Sequence, residues 1–163
     1  MGGKAMAGAR ENELEKMLAE PGEWAFDRAR RVLVPIGWDP VTHKPTRFAS
    51  SRTDLWGVFD RAGLRRDGKT LLIQVTDYTE SGGRDVTARK KKILEALAEH
   101  LGPGHIVQIW AYTQGRGWFW VVYGLFAGTW ERLGKVDRKG QILESEAKEL
   151  EAELRVVLEK LPA

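Results

Sequence analysis

Two oxygen-bearing side chains near the ends of neighbouring predicted strands have the chemistry to hold a hard metal ion. Asp54 opens one apolar run, and Gln74 stands near the end of the next. An Asp-Gly turn signal between the runs indicates a hairpin that places the two strands side by side. Because side chains alternate along a strand, Gln74 and Thr76 share one face. A carboxylate and an amide oxygen on that face are suitable ligands for Mg²⁺ or Mn²⁺.

The elements that must position these residues are predicted from hydrophobic periodicity and from Gly and Pro stop signals. They are a helix over 10–20, strands over 31–38, 54–60 and 71–75, a helix over 85–101, strands over 105–113 and 118–126, and a helix over 144–161. Segments 39–51 and 62–69 are predicted loops because they carry prolines or a Gly turn. This order predicts a mixed α/β fold, with a central sheet flanked by helices and a parallel crossover through the second helix.

The composition excludes several classes of site. The 163 residues contain no cysteine, so there is no disulfide framework, cysteine nucleophile or cysteine-ligated metal. The net charge is only +3, but segment 28–69 carries ten basic and four acidic residues, and segment 84–92 carries five and one. A localised basic field favours a polyanionic partner more than the total charge does. Seven tryptophans indicate a tightly packed core or a contact surface.

The length predicts one domain over 10–163, preceded by a Gly- and Ala-rich flexible tail over 1–9. No apolar run reaches the roughly 18 residues that a membrane span needs. The N-terminus also lacks the apolar stretch of a signal peptide. We therefore expect a cytoplasmic protein without a membrane partner.

The motifs described above resemble the PD-(D/E)XK nuclease superfamily, and within it the Holliday junction resolvases of archaea and phages. The family pattern is a helix glutamate, an aspartate at the start of a strand, and a strand ending in hydrophobic-(Glu/Gln)-hydrophobic-Lys, followed by a basic helix. Here Glu11, in the run ARENEL, matches the helix glutamate, and Asp54 matches the aspartate. The strand ends in Gln74-Val75-Thr76. These short motifs cover roughly residues 9–123.

The resemblance implies a restriction-endonuclease-like αβββαβ core, extended here by a C-terminal helix. It implies a Mg²⁺ or Mn²⁺ site formed by Asp54, Gln74, Glu11 and the backbone carbonyl of Val75. The activity would be hydrolysis of phosphodiester bonds in DNA, in particular in four-way junctions during DNA recombination. Because a junction needs two paired cuts, the resemblance also implies a homodimer. The predicted interface is the last helix or the strand pair that carries Trp110, Trp118 and Trp120.

One departure from the family pattern concerns the catalytic cation, because Thr76 stands where the family has lysine. That lysine orients the attacking water and stabilises charge in the transition state, and threonine has no charge to supply. Gln74 also removes one negative charge from the metal site. Helical spacing places Lys90 and Arg89 beside the buried stripe of the basic helix, so either one could supply the missing cation.

The other basic residues near this site are predicted phosphate contacts. Together they are Arg47, Arg52, Arg84, Arg89, Lys90, Lys91 and Lys92. Asp60, at the end of the first hairpin strand, is interpreted as a turn cap. Two further functions stay open: a catalytically inactive member of the same fold that binds nucleic acid or serves as an assembly subunit, and a protein-interaction domain without DNA.

Overall fold

The computed structural model describes residues 3–19, 23–27, 31–52, 55–78, 84–113 and 117–162. Within these residues the chain forms three α-helices, α1 Gly3–Ala19, α2 Arg84–Leu97 and α3 Lys148–Leu158, and a 3-10 turn at Ala98–His100. The strands in the same part of the chain are β1 Ala25–Asp27, β2 Arg31–Trp38, β3 Pro45–Arg52, β4 Arg61–Leu64, β5 Thr70–Asp77, β6 His105–Thr113, β7 Phe119–Phe126, β8 Thr129–Asp137 and β9 Ile142–Ser145.

Seven of these strands form one mixed sheet in the order β1-β4-β5-β6-β7-β8-β9. β5 and β6 run parallel and are connected through α2, whereas the other neighbouring strands are antiparallel. The mixed α/β class and the parallel crossover predicted from the sequence are therefore confirmed. β5 lies in the interior of the sheet, and Leu71, Leu72 and Ile73 are all buried. Burial on both faces explains why this strand reads as a nearly continuous apolar run.

Side-chain alternation divides the core between the two faces of the sheet. α1 and α3 pack on one face, where Leu14 and Leu154 meet Ile73 and Trp110. α2 packs on the other face with β-strand side chains that include Ile109. We call these the α1 face and the α2 face. Each strand residue points its side chain to one of these two faces. The strand register therefore decides which polar side chains lie together on each face.

Three of the seven tryptophans are core residues, as Trp24, Trp110 and Trp120 are at most 3% exposed. Trp110 and Trp120 pack edge to face with ring centres 6.0 Å apart. The prediction that Trp110 and Trp120 contribute to a dimer interface is wrong, because both rings are buried within the chain, whereas Trp118 on the same strand pair is half-buried. The last helix also buries its apolar stripe internally, through Leu154, Val157 and Leu158.

β2 and β3 form a separate two-stranded antiparallel sheet between β1 and β4 in the chain. We call residues 31–52 the arm. The sequence predicts β2 with its observed bounds, but the loop predicted over 39–51 is wrong from Pro45 onward. Pro45 is the first residue of β3, where its missing N–H removes no bond from the interior of a ladder. The proline therefore marks a strand start and not a loop interior.

Several other bounds differ from the sequence predictions. α1 begins at Gly3, so residues 3–9, predicted as a flexible tail, are helical. β8 and β9 were not predicted, and β9 takes the first residues of the helix predicted over 144–161 because it pairs with β8. α3 consequently begins at Lys148. No helix in the described part of the chain is long and apolar enough to cross a membrane.

Candidate functional site

The hairpin of β4 and β5 brings Asp60 against the end of β5. The N–H of Asp60 donates a 2.9 Å hydrogen bond to the carbonyl of Ile73. The carboxylate of Asp60 accepts a 2.7 Å bond from the N–H of Val75, and the residue is only 8% exposed. Hydrogen bonds to a carboxylate are shorter and stronger than neutral ones. Asp60 is thereby fixed beside the Gln74–Val75 segment, which makes it more than the turn cap that the sequence suggested.

Residues 55–59, predicted as part of a strand, form a tight turn. The N–H of Leu55 donates to the carbonyl of Phe59 at 2.8 Å, and the reverse bond measures 3.0 Å. Between them Trp56 and Gly57 have positive φ values of 51° and 72°. Consecutive positive φ values are the signature of the tight turns that join hairpin strands. The strand therefore starts after this turn. Asp60 lies beside β5 at Val75, where the sequence had predicted Asp54.

Gln74 and Thr76 share the α2 face, as alternation predicted, and both are buried. The Nε2 of Gln74 donates a 2.9 Å hydrogen bond to the carbonyl of Val75. Its Oε1 is buried without a hydrogen-bond partner among the described residues. A buried acceptor without a partner costs about 1–3 kcal/mol, and a bound cation would remove that cost. The amide is therefore the feature of this strand that most needs a ligand.

Glu11 lies on the α1 face and is paired with Arg61. Arg61 is the Cα partner of Ile73, so their side chains share the face on which α1 packs. The Nη1 of Arg61 is 3.4 Å from the Oε2 of Glu11, and its Nε is 2.9 Å from the Oε2 of Glu15. Since Gln74 points to the other face, the sheet separates Glu11 from Gln74. The structure does not bring these two predicted site residues together.

Lys90 lies on the α2 face, two strands away from Gln74. Gln74 is the Cα partner of Ile109, and Ile109 is the partner of Tyr123, so the three form one row across the sheet. The Nζ of Lys90 is 4.1 Å from the centre of the Tyr123 ring. At a strand spacing of about 4.8 Å, this row separates Lys90 from Gln74 by roughly 10 Å. Burial lowers the pKa of Lys90.

A tyrosine pair continues the polar row and was missed by the sequence analysis. Tyr78 follows Gln74 and Thr76 at the same two-residue spacing, and its side chain hydrogen-bonds that of Tyr123. Burial, reinforced by Tyr78, raises the pKa of Tyr123. The phenol of Tyr123 therefore keeps its proton. The alternation of polar residues at 74, 76 and 78 was the signal that would have pointed to Tyr78.

The remaining predicted phosphate contacts differ in exposure. Helical spacing placed one pair of cations on the buried side of α2, and this is confirmed, because Arg89 and Lys90 are half-buried. The exposed ones are Lys91, Lys92 and Arg47. The side chains of Arg52 and Arg84 and the whole of Asp54 lie outside the described residues.

The oxygen atoms around β5 are suitable ligands for a hard cation such as Mg²⁺, in a site that carries little negative charge. Among the residues that the structure describes, no three His, Cys, Asp or Glu side chains converge. The Asp60 carboxylate is bonded to the N–H of Val75, and the amide of Gln74 contacts the carbonyl of Val75 through its nitrogen. Carboxylate, amide and carbonyl oxygens are donors of the type that Mg²⁺ prefers. With one carboxylate in this set, we expect weak affinity for a divalent ion.

Two surface cavities lie elsewhere. One is bounded by residues that include Lys69, His105 and Phe126, and the other by residues that include Trp56 and Leu97. Neither is lined by Asp60, Gln74 or Thr76. The candidate site is therefore identified by its buried polar atoms.

Comparison of the chain with protein-family models, with curated proteins and with solved structures found no match. The function must accordingly be inferred from the geometry of the chain itself.

Proposed function

We propose that this protein is a metal-dependent DNA endonuclease of the PD-(D/E)XK type that hydrolyses phosphodiester bonds in branched DNA. The observation that carries the proposal is the contact of the Asp60 carboxylate with the Gln74–Val75 segment. An acid on one hairpin strand beside an amide on the next is the arrangement that the family pattern requires. Among the described residues, Asp60 is the carboxylate that the geometry supports.

The order of elements gives a second line of support. Leaving out the arm, the chain runs α1, β1, β4, β5, α2, β6, which is the αβββαβ order of a restriction-endonuclease-like core. β5 is then the central strand, and the basic helix α2 follows it directly. Gln74 and Thr76 lie near the C-terminal end of β5, where such a core has its catalytic strand end.

A divalent ion, Mg²⁺ or Mn²⁺, would be held by Asp60, Gln74 and the carbonyl of Val75, and it would supply Lewis-acid stabilisation of the phosphate charge. In the described state the Nε2 of Gln74 faces that carbonyl at 2.9 Å. A half-turn of the Gln74 amide group would put its Oε1 where its Nε2 now lies, 2.9 Å from the carbonyl of Val75. Neighbouring ligands of an octahedral Mg²⁺ site are also about 2.9 Å apart, so the strand already has the required spacing.

The catalytic cation of the proposed site must come from a residue other than Thr76. Thr76 is uncharged, and Lys90 rests on the ring of Tyr123 two strands away. To act on a phosphate held at Gln74, Lys90 would have to leave that ring. Arg89, half-buried on the same helix, is the other source of positive charge. The exposed Lys91 and Lys92 would contact the DNA backbone at a distance from the reaction.

Cleavage of a synthetic four-way junction tests the proposal. The full chain would be incubated with the junction in Mg²⁺ and in Mn²⁺, and compared with D60N and D54N. We expect wild-type cleavage that D60N abolishes without loss of folding. D27N, which changes an exposed aspartate on β1, is the matched control and should cleave normally. Loss of cleavage in D54N with full activity in D60N would contradict the assignment of Asp60.

Sedimentation of the same samples tests the expected homodimer, because paired cuts require two sites. A monomeric protein that cuts both strands of a junction would contradict the expected homodimer.

The composition of the site also favours a second candidate function, a catalytically inactive protein of this fold that binds DNA. Gln74 and Thr76 replace an acid and a cation, and either change weakens catalysis. Tight junction binding without cleavage in Mg²⁺ or Mn²⁺ would favour this candidate over the enzyme. Weak binding that does not change with salt would exclude both, because binding to phosphates must weaken as salt rises.

A further inference from the structure

The arm is an element that the proposed catalytic site leaves unexplained. Its strands pair with each other over Arg31–Arg52, and neither pairs with a strand of the seven-stranded sheet. A two-stranded ribbon is only marginally stable in water unless it packs against something. The arm, which lies between β1 and β4 in the chain, would therefore be stabilised by a binding partner.

Large apolar side chains are exposed toward the turn of the arm. Trp38 is 59% exposed, Phe48 54%, Ile36 53% and Val41 84%. Such side chains lie on both strands and on the turn that joins them. Exposed apolar residues concentrated in one place mark a contact surface more often than isolated ones do.

The charge of the arm indicates what this surface contacts. Residues 31–52 contain four basic residues and one acid, Asp39. The carboxylate of Asp39 accepts hydrogen bonds from the N–H groups of Val41 and Thr42, at 2.7 and 3.3 Å. These backbone bonds lower the pKa of Asp39. The Asp39 carboxylate thus stabilises the turn of the arm, and the other charged residues of the arm are all basic.

The backbone of the arm also makes room for one of these cations. A Cβ at Gly37 would lie 3.0 Å from the Nε of Arg47, which is tighter than side chains normally tolerate. The missing side chain lets Arg47 lie across the neighbouring strand.

Prolines make a protein strand a poor partner for the arm. Pro35 lies within β2 and Pro45 begins β3, and neither has an N–H to donate to an added strand. Proline and positive charge on strand edges are devices that prevent edge-to-edge pairing. A second copy of the chain would also bring an arm of the same charge. These features favour nucleic acid over another protein.

We propose that the arm is a DNA-binding ribbon, with Lys44 and Arg47 at the phosphates and Trp38 and Phe48 against bases exposed at a branch. The choice of DNA as the polyanion rests on the proposed function. Aromatic stacking on accessible bases contributes about 1–3 kcal/mol per base, and a two-stranded ribbon is narrow enough to enter the major groove. The arm would select branched DNA, and the site at β5 would act on it.

Fluorescence anisotropy with a labelled four-way junction in EDTA tests this proposal without requiring cleavage. We expect W38A to weaken junction binding about fivefold or more, because one stacked base is lost. R47E should weaken binding to the junction and to an intact duplex, and should lower the salt slope by about one. The controls K160E and L143A change an exposed charge and an exposed apolar residue elsewhere, and should bind as wild type does.

Unchanged junction binding in both W38A and R47E would overturn the proposal, as would a wild-type chain that does not bind DNA. Self-association that W38A abolishes while junction binding is unaffected would instead make the arm a contact between copies. Circular dichroism verifies that each variant is folded. If the arm variants lose affinity but no metal supports cleavage, the arm assignment stands and the proposed enzyme fails.

Discussion

The carboxylate of Asp60 is joined to the backbone N–H of Val75 by a 2.7 Å hydrogen bond across the β4–β5 hairpin. This bond connects a buried acid to the residue between Gln74 and Thr76. It also holds the acid on the strand where the buried Oε1 of Gln74 has no hydrogen-bond partner among the described residues.

Q74E should raise the affinity of the site for Mn²⁺, because it places a second carboxylate beside Asp60. Without metal, burial and the neighbouring acid should raise the pKa of the new glutamate above its unfolded value of about 4.3. The unfolded chain then releases the proton more readily, so stability is lost as the pH rises above that value. We expect a loss of about 1–3 kcal/mol at pH 7, which Mn²⁺ partly restores. Urea unfolding at pH 4 and 7, with and without Mn²⁺, measures this.

Q108E is the matched control for Q74E. Gln108 is 1% exposed, and its Oε1 accepts a 2.9 Å bond from the indole of Trp110, away from Asp60. The variant should lose stability without being rescued by Mn²⁺. Equal rescue of the two variants would contradict a metal site at Gln74.

T76K should increase the rate of junction cleavage by about tenfold or more, since it supplies a cation where charge develops in the transition state. T70K provides the control, because Thr70 lies on the same strand and face at the opposite end. Single-turnover cleavage in Mg²⁺ compares the two. A folded T76K protein with the wild-type rate would show that this position does not reach the reacting phosphate.

R61M should destabilise the protein by about 3–5 kcal/mol, because it removes a buried partner of Glu11 and Glu15. The double variant E11Q/R61M should lose less than the two single changes together, since the buried charge and its partner disappear at once. Urea unfolding gives these values. Because Glu11 lies on the α1 face, E11Q should retain junction cleavage. A folded E11Q protein without cleavage would instead return Glu11 to the metal site.

K90M should remove a pH-dependent part of the stability. Burial lowers the pKa of Lys90, so the unfolded chain holds more protons between that lowered value and about 10.4. The contribution of Lys90 to the free energy of unfolding therefore rises with pH across this window. K90M should lack that rise, and K92M, which changes an exposed lysine, should keep it. Thermal unfolding followed up to pH values just below about 10.4 measures the two slopes, and identical slopes in both variants would contradict the assignment.

Elements with strong local patterns were predictable from the sequence. His105–Thr113 and Arg31–Trp38 have their predicted bounds, and α2 begins one residue before its predicted start. β8 was missed because its charged residues alternate with few apolar ones, and β3 because prolines and serines obscured it. Both strands are specified by their pairing partners, β7 and β2, and a pairing partner is not encoded in the strand itself.

The amino-acid order by itself determined that a buried amide and a threonine share one strand face, that a basic helix follows them, and that no cysteine chemistry is available. Only the tertiary structure decided which groups meet them. It brought Asp60 to Val75, placed Glu11 behind the sheet with Arg61, and set Lys90 over Tyr123. The reason is that alternation fixes the side to which a residue points, whereas its neighbours depend on strand register and on helix packing.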